Sequence, residues 1–213
     1  DIAGVIPAAQ WLPAPGLTGG TSGVASGGIG GPIFVGWDAP ASSIIVGSSS
    51  SPGDEDMMEG YLFGIQTSAG TFQPAVVQVG TLNLAGLMWD YYDVYVYSDQ
   101  GGLGVAAPNL LTYSPSPGSP TAYSHLEYGV GYGAGAPGYL DSQINPTGNY
   151  VQYLGLTAPN FSLIAQPGLG SDSAAINGFQ IVGHRTIPEP STGLALIMGA
   201  GLLAMRRRRQ SRA

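Results

Sequence analysis

The sequence predicts an all-β protein, an antiparallel two-sheet β-sandwich of jelly-roll or galactose-binding-like style. Among its 213 residues are 35 Gly and 17 Pro, only 9% are charged, and aromatic side chains are present, a composition typical of turn-rich β proteins. Short apolar runs, several of them strictly alternating, recur between turn signals, and no amphipathic helical pattern extends over ~10 residues. The connections are turn-like, which argues against parallel βαβ units.

The individual strands follow from these runs. They are predicted in chain order at residues 33–37, 43–46, 61–66, 75–79, 91–97, 123–130, 150–154, 161–164 and 176–182. The run 91–97 has the strongest β signal, and residues 176–182 are expected to form the closing strand. Loops are predicted at the Gly- and Pro-rich segments 18–23, 114–120 and 131–138.

The C-terminal end has a different organisation from the rest of the chain. Pro188, Glu189 and Pro190 precede an uncharged apolar run, Gly193–Met205, and four arginines follow it. As a helix the run would be about 20 Å long, short against a ~30 Å hydrocarbon core but extendable because arginines snorkel. Basic flanks stay cytoplasmic, so the preceding domain is expected outside that membrane. The alternative, a buried core helix, fits poorly with an arginine cluster beside it.

This tail resembles the PEP-CTERM sorting signal of Gram-negative bacteria over residues 187–213. The resemblance gives the motif role to Pro188, Glu189 and Pro190. It gives the helix and basic-stop roles to Gly193, Leu194, Leu196, Ile197, Leu202, Leu203, Met205, Arg206, Arg207, Arg208 and Arg209. It implies a membrane enzyme, exosortase, as processing partner, and a secreted or surface protein associated with exopolysaccharide and biofilm.

The division into segments follows from this reading. We expect a Gly/Pro-rich lead-in (1–31), a β-sandwich ectodomain (32–184), a linker with the Pro-Glu-Pro motif (185–192), a short transmembrane sorting helix (193–205) and a basic cytoplasmic tail (206–213). The chain would be anchored transiently in the inner membrane before processing. A secretory signal peptide outside this numbering is also expected.

The charge distribution argues against two classes of partner. The chain has no lysine, and residues 1–187 hold twelve Asp and Glu against the single Arg185, a formal charge of −11. Such a surface repels nucleic acid and anionic lipid headgroups, whereas cations and neutral glycans are compatible with it. The absence of cysteine excludes disulfides and thiol chemistry.

The run 91–97 also has a functional interpretation. Tyr91, Asp93, Tyr95 and Tyr97 share one face of the predicted strand, and Trp89 precedes it. Aromatic rings cover the C–H faces of sugars while polar groups reach the hydroxyls, so this face is a candidate glycan contact. The structural alternative is a central strand covered on both faces, with tyrosines bridging core and rim.

The acidic residues suggest no firm metal site. Asp54, Glu55, Asp56 and Glu59 offer oxygen ligands that suit Ca²⁺, but they lack EF-hand spacing, and a solvated acidic loop explains them better. Asp141 and Asp172 are expected to make Asx-type turn hydrogen bonds. No cofactor is otherwise predicted.

The sequence offers little for catalysis. His125 and His184 are the only histidines, and there is no Gly-x-Ser-x-Gly motif. Paired carboxylates of a glycan hydrolase remain an alternative, although no pair stands out. We therefore expect a non-enzymatic surface or matrix protein with a structural or adhesive role, or alternatively a carbohydrate-binding module for exopolysaccharide.

Overall fold

A computed structural model describes the chain at residues 16–23, 33–44, 60–67, 70–80, 82–98, 108–126, 141–144, 148–168, 171 and 173–186. The sorting motif, the apolar run 193–205, the arginines, the acidic residues 54–59 and Asp172 lie outside these residues. Among the described residues, no helix is long and apolar enough to cross a membrane.

The described residues form β-strands joined by turns and a single helical turn. The strands are β1 (Thr18–Gly23), β2 (Ile33–Asp38), β3 (Ala41–Ile44), β4 (Gly60–Gln66), β5 (Phe72–Gln73), β6 (Ala75–Gly80), β7 (Tyr91–Tyr97), β8 (Pro108–Ser116), β9 (Thr121–Leu126), β10 (Tyr150–Leu156), β11 (Asn160–Gln166), β12 (Ser173–Ile176) and β13 (Gly178–His184). Helix α1 (Leu84–Leu87) lies between β6 and β7. The all-β prediction is confirmed.

Three antiparallel sheets are present within the described ranges. The largest has the order β1-β2-β6-β11-β8-β9, the second has β10-β7-β13, and the third has β12-β4-β3 with β5 paired to β4. Strands β4 and β12 pack on β6 and β11, and the β10-β7-β13 sheet packs on β8 and β11 through its tyrosines. The result is a sandwich in which one layer is divided into two sheets.

The core lies between these layers and alternates as strand geometry requires. On β6 the buried residues are Ala75, Val77 and Val79, and on β11 they are Phe161, Leu163 and Ala165. Opposite them, β7 contributes Tyr92, Val94 and Val96, all at most 1% exposed. The predicted alternation of residues 91–97 is therefore correct, and Val94 and Val96 lie on the face that packs into the core.

Buried tyrosine hydroxyls join the layers. Tyr92 Oη lies 2.9 Å from Tyr113 Oη and donates to the carbonyl of Ala158 at 2.7 Å. Tyr153 Oη donates to the carbonyl of Leu111 at 2.7 Å. Since buried hydroxyls require partners, these bonds let Tyr92, Tyr113 and Tyr153 fill the core with their hydroxyl groups satisfied.

The predicted loop at residues 18–23 is wrong, because these residues form β1 against β2. Three glycines lower the β propensity of this segment despite its two threonines, but the glycines fit the site. A Cβ on Gly19 would lie 2.6 Å from Trp37 Cζ2. The strand therefore depends on its pairing and on space for a neighbouring indole ring, which local patterns do not reveal.

Two further boundaries differ from the prediction. Strand β8 extends through Pro115 to Ser116, into the segment predicted as a loop. Proline is tolerated there because the ladder to β9 ends at Tyr113, so no hydrogen bond to that strand is lost. The predicted closing strand is divided at Asn177, which separates β12 in one sheet from β13 in another. The turn-type residues Asn177 and Gly178 interrupt the apolar run there, but they do not show by themselves that the chain moves to another sheet.

Candidate functional site

The candidate site is the outward face of the β10-β7-β13 sheet, which we call the tyrosine face. Strand β7 is the central strand, so its outward residues lie beside those of both neighbours: Tyr95 is opposite Gln152 on β10 and Gln180 on β13. Alternation along the three strands defines the members of this face: Tyr91, Asp93, Tyr95, Tyr97, Tyr150, Gln152, Gln180, Val182 and His184.

At one end of the face, two rings are stacked. Tyr91 and His184 lie opposite each other in the ladder, with ring centroids 4.7 Å apart and an interplanar angle of 14°. Tyr91 is 37% exposed, and the His184 side chain is 35% exposed. The ring pair is therefore accessible to solvent.

Asp93 fixes the position of the histidine. Its Oδ2 lies 2.7 Å from His184 Nε2, and its Oδ1 accepts a hydrogen bond from the backbone N–H of Gly155 at 2.8 Å. Gly155 lies at the irregularity of the β10–β7 ladder and has a φ of 67°, a conformation that favours glycine. The buried carboxylate thus joins all three strands.

A second group of rings lies at the opposite end of the face. The Tyr150 ring is 6.2 Å from that of Tyr95 and 6.3 Å from that of Tyr97. Partial burial raises the pKa of Tyr95 and of Tyr150, and the charges of Asp93 and Asp141 respectively add to the effect. Both hydroxyls are therefore neutral hydrogen-bonding groups at physiological pH.

Asp141 forms a polar rim beside Tyr150. Its Oδ1 accepts from the backbone N–H of Gln143 at 2.9 Å, and its Oδ2 accepts from Gln152 Nε2 at 2.7 Å. The first bond is the Asx-turn contact predicted for this residue. The second orients the Gln152 amide on the tyrosine face.

The structure brings together only part of the predicted platform. Tyr91, Asp93, Tyr95 and Tyr97 all belong to the tyrosine face, but Tyr97 is fully buried there and donates its hydroxyl hydrogen to Gln180 Oε1. Trp89 lies on the other side of the sheet, its ring over Gly183 and against the core. Neither Trp89 nor Tyr97 therefore contributes to the solvent-exposed area of the tyrosine face.

Sequence reasoning missed His184, Tyr150, Gln152 and Asp141 as members of one face. Alternation in residues 178–184 and 150–154 could have shown which of their side chains point outward, but the sequence does not show that both strands flank β7. The other histidine, His125, lies on β9. Among the described residues, no group of three or more His, Asp or Glu side chains could hold a metal ion.

Comparison with known proteins identifies the C-terminal segment. Residues 186–210 match the PEP-CTERM protein-sorting motif, which confirms the resemblance seen in the tail and implies export to the cell surface with processing by exosortase. No curated protein matches the chain.

Among solved structures, the chain is similar to one described as TmCBM61 in complex with β-1,4-galactotriose. The similarity covers 72% of this chain and 89% of that chain, with 10% sequence identity and a TM-score of 0.35.

Proposed function

We propose that this exosortase-sorted surface protein is a non-enzymatic adhesive or matrix component that holds neutral exopolysaccharide on the tyrosine face. The sorting motif supports delivery to the surface. Glycan binding is supported by one observation: two groups of rings, Tyr91 with His184 and Tyr95 with Tyr150, lie on one face of one sheet.

The chemistry of this face suits sugars. The rings offer apolar area for the C–H faces of a pyranose, and Gln152 and the tyrosine hydroxyls offer donors and acceptors for its hydroxyls. Asp93 and Asp141 are engaged in hydrogen bonds within the face, so their role is to orient its side chains. This arrangement favours binding over bond cleavage.

The charge of the chain favours a neutral glycan. Residues 1–187 have a formal charge of −11, and both Asp93 and Asp141 belong to or border the tyrosine face. Uronate-rich or sulfated polymers would meet electrostatic repulsion, weakened by salt but not reversed.

The test is retention on polysaccharide. The purified full chain, kept in neutral detergent, is mixed with a panel of insoluble or immobilised neutral polysaccharides and one acidic polymer. Tyr95→Ala and Tyr150→Ala are expected to weaken retention on the neutral polymer by roughly 5- to 30-fold, since stacked rings contribute about 1–2 kcal/mol each.

Phe34→Ala is the matched control, because Phe34 is a 54% exposed aromatic residue on the other layer. It should retain glycan as the unsubstituted chain does. Equal retention by Tyr95→Ala, Tyr150→Ala and the unsubstituted chain would contradict glycan binding by the tyrosine face. The protein would then be assigned a purely structural role.

A further inference from the structure

The chain leaves the β domain at a point held by hydrogen bonds. Strand β13 ends at His184, whose carbonyl accepts from the backbone N–H of Asp90 at 2.8 Å. Two residues later, the backbone N–H of Thr186 donates to Asp90 Oδ2. Asp90 therefore binds the departing chain on both sides of Arg185.

Neighbours of Asp90 hold the preceding residues. The Trp89 ring lies where a Cβ of Gly183 would be, with ring carbon Cε2 1.9 Å from that position. The Tyr91 ring stacks on His184, and Asp93 contacts the histidine Nε2 at 2.7 Å. We call these four residues, Trp89, Asp90, Tyr91 and Asp93, the C-terminal clamp.

The electrostatics of Asp90 agree with this geometry. The backbone N–H of Thr186 lowers the pKa of the Asp90 carboxyl most, followed by the Thr186 side chain, and the charge of Arg185 also lowers it. The carboxylate is therefore ionised at neutral pH, the state that accepts hydrogen bonds from the backbone N–H and the side chain of Thr186.

Thr186 is also the first residue of the matched sorting segment, 186–210. In the sequence, only Ile187 separates Thr186 from the Pro-Glu-Pro motif. A restraint on Thr186 is therefore applied one residue before the motif begins.

We propose that the C-terminal clamp positions the sorting motif for exosortase, with Asp90 as the positioning residue. By holding Thr186, the clamp fixes where the motif leaves the domain and reduces the conformational freedom lost when the enzyme binds it. This proposal rests on the sorting motif and is independent of glycan binding.

The test follows removal of the C-terminal segment in cells that contain the exosortase. Pulse-labelled full chain is captured at intervals, and the half-time of processing is measured. Asp90→Ala is expected to slow processing about two- to tenfold, the effect of one lost hydrogen bond on a positioning equilibrium. Asp90→Asn keeps an acceptor oxygen and should recover most of the rate.

Two comparisons separate positioning from folding. The thermal midpoint of Asp90→Ala should fall by no more than about 2–4 °C, because Asp90 is exposed and an exposed hydrogen bond contributes about 1 kcal/mol or less. Asp38→Ala removes another exposed carboxylate, on β2, and should leave processing unchanged.

Glycan retention by Asp90→Ala should also be unchanged, so this proposal and the proposed function can fail separately.

An insertion tests the short spacing itself. Four Gly and Ser residues placed between Thr186 and Ile187 keep the clamp but separate the motif from it, and should slow processing as Asp90→Ala does. In the combined variant the second change should add little, because both remove the same restraint. Processing of Asp90→Ala at or above the unsubstituted rate, or equal slowing by Asp90→Ala and Asp90→Asn, would overturn the proposal.

Discussion

Asp93 and His184 are separated by 91 residues in the sequence, yet Asp93 Oδ2 lies 2.7 Å from His184 Nε2. The contact joins the central strand β7 to β13, and the second oxygen of Asp93 reaches β10 through the N–H of Gly155. One buried carboxylate thus organises both the tyrosine face and the last strand before the sorting segment.

We predict that Asp93→Ala lowers the free energy of unfolding by about 1–3 kcal/mol. The substitution leaves the Gly155 N–H and the histidine without their acceptor in a largely buried position. Urea unfolding measures the change. Asp38→Ala, at an exposed position, should stay within about 0.5 kcal/mol of the unsubstituted chain, and an equally small effect of Asp93→Ala would contradict the role assigned to this carboxylate.

The hydrogen bond between the Tyr92 and Tyr113 hydroxyls predicts that removing one hydroxyl lowers the free energy of unfolding more than removing the other. Tyr92 donates its hydrogen to the Ala158 carbonyl, so Tyr113 must donate to Tyr92. Tyr92→Phe removes both bonds and should cost about 1–3 kcal/mol in urea unfolding. Tyr113→Phe removes one and leaves Tyr92 satisfied, so its effect should be smaller. The reverse order would show that the assigned directions are wrong.

The same burial predicts sensitivity to alkaline pH. Burial raises the pKa of the Tyr92 and Tyr153 hydroxyls well above the ordinary value of 10.0. Above about pH 10 the unfolded chain therefore releases protons that the folded chain keeps, and stability falls as pH rises. Urea unfolding at a series of pH values should show this decline, and Tyr153→Phe should make it shallower; an unchanged slope would exclude Tyr153 as a contributor.

Close packing between the layers predicts a strict need for Gly64. A Cβ there would lie 2.7 Å from the carbonyl oxygen of Ala165 and 2.8 Å from that of Gln73, both backbone atoms that cannot rotate away. Gly64→Ala should therefore cost about 1–3 kcal/mol through displacement of β4. Gly80→Ala is the control, since its nearest contact is an ordinary 3.6 Å. Urea unfolding measures both variants. Equal unfolding midpoints for Gly64→Ala and Gly80→Ala would contradict the role assigned to close packing at Gly64.

The site could be predicted from the sequence only along one strand. Alternation in residues 91–97 correctly separates Val94 from Asp93 and Tyr95, because the period of a strand is local. That period does not show that Tyr97 is covered while Tyr91 is exposed, since burial depends on neighbouring strands. Nor does it place His184 beside Tyr91, because strand order is set by packing across the whole domain.

The sequence alone determined the all-β class and the sorting signal, since both are written in contiguous residues: short apolar runs between turns in one case, Pro188–Pro190 with its apolar run and arginines in the other. Only the tertiary structure decided that Thr18–Gly23 is a strand, that the chain changes sheet at Asn177, and that Asp90 binds Thr186. Each of these depends on a partner distant in sequence, where local propensity is weak and long-range pairing supplies the stabilising contacts.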